Sequence, residues 1–217
     1  MEAKPFVEQL HNTLMEALRR LDEIRGEEGP ATGAEVIRRL KLALRQELEA
    51  AEIAAVWLPS SEAVEVKLSL ARLCGDEGRH YRLIARRLGE LGEDVSDYNP
   101  LAQGRSKLYD FFAGLADPVE RIAAAQFTRE AIGHLRNEQF IAFCQQAGDA
   151  ETARLYREEI QPDEAFHAQN GRALLEKYAV GAEVQGRARA AAERTLAMAE
   201  GVLQTMAAQH MGRAPGC

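Results

Sequence analysis

Apolar residues recur at the 3.6-residue helical spacing through almost every long segment of this chain, and no segment shows the β-branched alternation of a half-buried strand. A chain patterned this way has to bury its apolar stripes by packing helix on helix, so the expected fold class is all-α. The strong helix formers Ala, Leu, Glu and Arg dominate, while aromatic residues make up only 6%. At 217 residues the chain is expected to form one domain with a sizeable core that needs no disulfides.

Turn signals divide the helical text. A first helix is expected over about Pro5–Arg25, ended by Gly26-Glu-Glu-Gly-Pro30. A second, from about Gly33 to Leu58, stops at Pro59-Ser-Ser, and Ser60 or Ser61 caps a third over about Glu62–Leu91, closed near Gly92. Residues 93–117 read as irregular, with a short helix around Ser106–Gly114. Asp117-Pro118-Val119-Glu120 is a helix start, with an acidic cap and Pro at the first helical position. That fourth helix runs to about Ala147, and Gly148-Asp149 turns the chain into a fifth over about Ala150–Tyr178, where Pro162 should kink it. A last helix covers about Ala182–His210, followed by a loose tail, Gly212–Cys217.

The charge balance is acidic, 34 Asp and Glu against 27 Lys and Arg, which argues against nucleic-acid or membrane-surface partners. No apolar run is long enough to span a bilayer, and Met1-Glu-Ala-Lys-Pro-Phe lacks the layout of a secretory signal. Cys74, Cys144 and Cys217 are odd in number and widely spaced, so a reduced, cytoplasmic setting is expected.

Two helical segments each contain Glu-x-x-His: Glu77-Gly-Arg-His80 and Glu164-Ala-Phe-His167. Residues three apart share a helix face, so each pair can offer a carboxylate and an imidazole to one point. Each segment is preceded by a helix with its own inward-facing Glu. Glu47 sits amid Leu40, Leu44, Ala51, Ala54 and Leu58, whereas Glu49 shares its face with Arg45, Gln46 and Glu52 and is expected to be solvated. Glu77 likewise interrupts the stripe Leu70, Leu73, Cys74, Tyr81, Ile84 and Leu88. A buried carboxylate without a cation costs several kcal/mol on the usual scale, and metal ions opposite would remove that cost.

The other helix offers Glu130 and Glu138. In an antiparallel pair, residues equally far from the turn lie at one level. Glu130 and Glu164/His167 centre near residue 148, on Gly148-Asp149, whereas Glu138 would centre inside the following helix. Glu47 with Glu77/His80 centres just after Pro59-Ser-Ser, so both halves repeat one design. One Glu from each of two helices plus Glu-x-x-His from the other two is how ferritin-like bundles hold two metals.

The sequence therefore resembles the ferritin-like di-iron carboxylate superfamily, and Asp163-Glu-Ala-Phe-His-Ala-Gln-Asn-Gly171 is similar to a motif of a little-characterised bacterial branch. The resemblance implies a four-helix bundle of two antiparallel helix pairs over about 33–178, with flanking helices at about 5–25 and 182–210. It implies that Glu47, Glu77 and His80 bind one iron and Glu130, Glu164 and His167 a second, with Glu77 and Glu164 as bridges. Manganese or a mixed Fe/Mn pair would suit the same ligands.

The expected activity is an oxidoreductase that uses O₂ or peroxide on a small organic substrate, fed by an external electron donor, in a monomer or homodimer. Two other readings stay open: an iron-storage or ferroxidase protein, and a metal-free helical interaction module. His134, one turn after Glu130, reads either as a third imidazole, as a partner behind the ligands, or as a partly buried polar residue. Tyr81 reads as a hydrogen-bond partner of a ligand or as a core aromatic, and Cys74 as a small buried hydrophobe.

Overall fold

The computed structural model describes residues 1–23 and 30–211, with 206–211 described by their backbone alone. Among them every regular element is helical: α1 Ala3–Glu23, α2 Gly33–Ser60, α3 Val64–Glu90, α4 Lys107–Ala113, α5 Pro118–Arg121, α6 Glu130–Gln146, α7 Ala150–Leu155, α8 Gln161–Tyr178 and α9 Ala182–Met211. Two π-helical segments, π1 Ile122–Arg129 and π2 Tyr156–Ile160, join α5 to α6 and α7 to α8. None of the described helices is long and apolar enough to cross a membrane. The expected turn over 26–30, apart from Pro30, and the tail from Gly212 lie outside the described residues.

The chain divides into two compact units. A hairpin unit comprises Ala31–Leu115 and Asn137–Asp163, and a terminal unit comprises Met1–Pro30, Ala116–Arg136 and Glu164–Cys217, so the limits fall inside α6 and α8.

In the hairpin unit, Thr32 caps α2 by accepting the Glu35 N–H, and Glu35 holds Arg38 and Arg39 on the first turns. The buried positions of α2 are Val36, Leu40, Leu44, Glu47, Ala50, Ile53, Ala54 and Trp57, a helical stripe with one carboxylate at its centre. Beyond Glu47 the stripe runs through Ala50 and Trp57 rather than the expected Ala51 and Leu58, because 3.6-residue rotation carries the inner face back by one position. In α3 the stripe is Val66, Leu70, Leu73, Glu77, His80, Ile84 and Leu88.

α2 and α3 form an antiparallel pair: Lys67 donates to the Leu58 carbonyl near the turn, His80 faces Glu47 midway, and Lys41 pairs with Glu93 at the far end. Leu40, Leu44, Ile84 and Leu88 join Phe140, Phe143, Cys144, Tyr156 and Ile160 in one apolar cluster. Gly148, at φ 76°, closes α6, and Asp149 then caps α7 while accepting from Arg87.

α2 ends within Pro59-Ser60-Ser61 as expected, at Ser60; a proline in the last turn removes only one helical hydrogen bond. Two local expectations are corrected here. Ser60 and Ser61 do not cap α3, because both hydroxyls turn back to donate to the Trp57 carbonyl, and Ala63 takes the cap position without a side-chain bond. Glu49 is not on a solvated face: it accepts from the backbone and hydroxyl of Ser106, anchoring the start of α4, and takes Arg45 as a partner. α4 itself falls within the expected Ser106–Gly114 span, with Ser106 as its cap.

In the terminal unit, α1 buries Phe6, Val7, Leu10, Leu14, Ala17 and Leu21. Asp117 caps α5 as expected and also holds Arg187 of α9, which packs along α5, π1 and α1. All residues of π1 from Ile122 to Thr128 are buried, an enclosure possible because three of them are alanine.

Pro162 sits two residues past the end of π2, where the Gln161 N–H reaches the Tyr156 carbonyl five residues back. The wide turn relieves the clash that proline makes with the carbonyl four residues earlier. The irregularity expected at Pro162 thus takes the form of a π segment.

Candidate metal-binding residues

Glu47, Glu77 and His80 are brought to one level of the α2–α3 pair. His80 Nδ1 lies 3.4 Å from Glu77 Oε2 and 3.6 Å from Glu47 Oε2. The three offer ligand atoms within 4.8 Å of one another, and all three side chains are buried. Glu47 Oε2 is buried without a hydrogen-bond donor, an arrangement that costs stability unless a cation faces it. This is a buried acidic and histidine cluster that could hold a metal ion.

Burial, the Glu77 charge and contact with Glu77 push the Glu47 carboxyl up to about 8, against the opposing pull of His80. Burial works against the His80 imidazolium, but Glu47 and Glu77 more than offset it and raise its pKa to about 10. Without metal, the cluster therefore retains protons at neutral pH; a divalent cation would take their place.

The other imidazole nitrogen is held from behind. His80 Nε2 lies 3.3 Å from Asp163 Oδ2, the same oxygen that accepts from Arg79 Nη2 at 2.6 Å. Arg79 is itself fixed by the side chain and carbonyl of Glu159. Burial opposes ionisation of Asp163, but Arg79 and His80 hold its carboxyl below the usual range. Asp163 thus fixes a proton on Nε2 and leaves Nδ1 turned to the carboxylates, the carboxylate–histidine arrangement that orients metal ligands.

If Glu47, Glu77 and His80 hold a metal ion, Asp163→Ala is expected to leave the helices intact and to weaken that binding about 10- to 100-fold. Calorimetric titration with Co(II) checks this, and unchanged affinity would remove Asp163 from any role behind the site. Sequence reading quoted Asp163 but missed its function, because its partner lies 83 positions away. Arg79 carried no sequence signal either.

The terminal unit pairs two residues of the second set, Glu130 and His167. Glu130, Glu164 and His167 are all buried, and His167 Nδ1 lies 3.6 Å from Glu130 Oε2. The register drawn about Gly148-Asp149 therefore places Glu130 level with His167, and the rejected Glu138 is exposed. Glu130 Oε1 accepts from Arg129 Nη1 at 2.6 Å, a charged partner that sequence reading did not foresee. Glu164 reaches toward α6, where its Oε2 lies against Gly133.

Among the remaining candidates, Tyr81 is half-buried and packs against the Leu40–Leu44–Ile84 cluster, in keeping with a core aromatic. His134 is half-buried on α6. Cys74 is a half-buried free thiol; Cys144 is fully buried, and desolvation pushes its thiol up to about 12, which leaves it unreactive. Cys217 lies outside the described residues.

No protein-family model matches this chain, and no curated protein or solved structure matches it.

Proposed function

We propose that this chain is a dimetal carboxylate protein of ferritin-like type. One ion is held by Glu47, Glu77 and His80, and a second by Glu130, Glu164 and His167. The observation that carries the reading is the buried triad of Glu47, Glu77 and His80 with Asp163 behind the imidazole. It combines three metal-compatible ligand atoms with a positioned histidine, features that chance burial of charge would not join. Glu130 and His167 repeat the carboxylate–imidazole pairing in their own unit.

An oxygen- and nitrogen-donor set without thiolate suits Fe(II) or Mn(II), with iron as the leading candidate. Bound iron would supply activation of O₂ or peroxide for oxidation of a small organic substrate, with electrons from an external donor. The chain's own contribution is to exclude water from the buried carboxylates and to fix the His80 tautomer through Asp163. It also keeps Glu47, Glu77 and His80 on helices whose apolar stripes lock their rotation.

Elemental analysis of protein expressed in iron-rich medium tests the reading. Roughly two metal ions per chain are expected, and they should be lost in the Glu77→Ala/Glu164→Ala double variant. Absence of metal from both proteins, with folding unaffected, would sink it and favour a helical interaction module.

A further inference from the structure

Gly133 lies in the interior of α6, one turn after Glu130. Its backbone is ordinary helix, since it is not among the glycines with positive φ. Glycine at such a position weakens a helix relative to alanine, so its backbone freedom serves nothing there. What the missing side chain does provide is space. A Cβ at position 133 would stand 3.1 Å from Glu164 Oε2 and 4.0 Å from its carboxyl carbon. The first distance is inside the roughly 3.5–4.0 Å at which non-bonded heavy atoms settle. Gly186, in the interior of α9, differs: a Cβ there meets nothing within 4 Å.

We propose that Gly133 is a positioning residue for metal binding: it keeps open the space that the Glu164 carboxylate occupies as a ligand. The inference rests on the dimetal reading and adds a residue outside the ligand set. Without metal, Glu164 is a flexible side chain and can yield a few tenths of an ångström to a methyl group. With metal bound, coordination would hold the Glu164 carboxylate in place, and it could no longer yield to the methyl group without weakening its bond to the ion.

Anaerobic Co(II) titration, read by visible absorption and calorimetry, tests this on wild type, Gly133→Ala and Gly186→Ala, alongside thermal midpoints of the metal-free proteins. For Gly133→Ala we expect a metal-free midpoint equal to or above wild type, together with at least tenfold weaker binding of one Co(II) equivalent. Gly186→Ala should show the same stability trend with wild-type affinity for both equivalents. Wild-type protein that takes up two Co(II) beside a Gly133→Ala variant that binds them equally well would overturn this inference alone. Wild-type protein that binds none would overturn the dimetal reading and this inference with it. A lowered metal-free midpoint in Gly133→Ala would make the glycine a packing residue and also overturn the proposal.

Discussion

Gly171→Ala is expected to destabilise the protein by about 3 kcal/mol or more, the upper end of what overpacking costs. A Cβ at this position would lie 2.5 Å from the carbonyl carbon of Gln126, 2.6 Å from its oxygen and 2.8 Å from the Phe127 nitrogen. These are backbone atoms of π1, so no rotamer change can relieve the clash. Either α8 moves away from π1 or π1 unwinds, and the buried residues Ile122–Thr128 are disturbed in both cases. For a chain of this size the loss corresponds to a fall of roughly 10 °C in the thermal midpoint. Circular dichroism melts of the metal-free protein measure it, and a change under about 2 °C would show that α8 and π1 can separate cheaply. The contrast with Gly133 is physical: there the added methyl meets the end of a flexible side chain, here it meets the main chain.

Metal affinity of the Glu47, Glu77 and His80 set is expected to rise steeply with pH, while the stability of the metal-free protein falls. The sign follows from proton binding. The Glu47 carboxyl, raised from 4.5 to about 8, keeps a proton in the folded state that the unfolded chain has released. His80, raised from 6.5 to about 10, does the same. The folded metal-free protein therefore binds more protons than the unfolded chain, and its stability declines through pH 4.5–8 by Glu47 and 6.5–10 by His80.

A metal ion needs both groups deprotonated. Below about pH 8 affinity should climb by up to about 100-fold per pH unit, and by about tenfold per unit from there to about 10. Titrations in buffers of different ionisation enthalpy count the protons released. A Glu164→Ala/His167→Ala background confines the measurement to one set. Affinity that stays flat from pH 6 to 8 would mean that the cluster carries no such protons.

Much of this was legible in the sequence, for local reasons. Helical periodicity alone singled out Glu47 and Glu77 as carboxylates on apolar stripes, and both prove buried. Equal spacing from a Gly-Asp turn selected Glu130 over Glu138, and Glu130 is buried beside His167 while Glu138 is exposed. The Asp117 cap is likewise a short-range device, in which the side chain reaches a backbone N–H two residues on.

Other features were not legible. A π turn differs from an α turn by one residue in its hydrogen bonding, too little for hydrophobic periodicity to show, so π1 and π2 read as α-helix. Ser60 and Ser61 could cap α3 or bond back into α2, and both hydroxyls donate to the Trp57 carbonyl.

The sequence by itself determined the helices, most of their buried faces and the buried carboxylates and imidazoles on them, since each follows from intervals of two to four residues or from symmetry about a turn. Only the tertiary structure decided that Asp163 and Arg79 stand behind His80, and that a side chain at Gly171 would meet the backbone of π1. Those contacts join side chains and backbones that no local interval relates, and close packing alone brings them within a few ångströms.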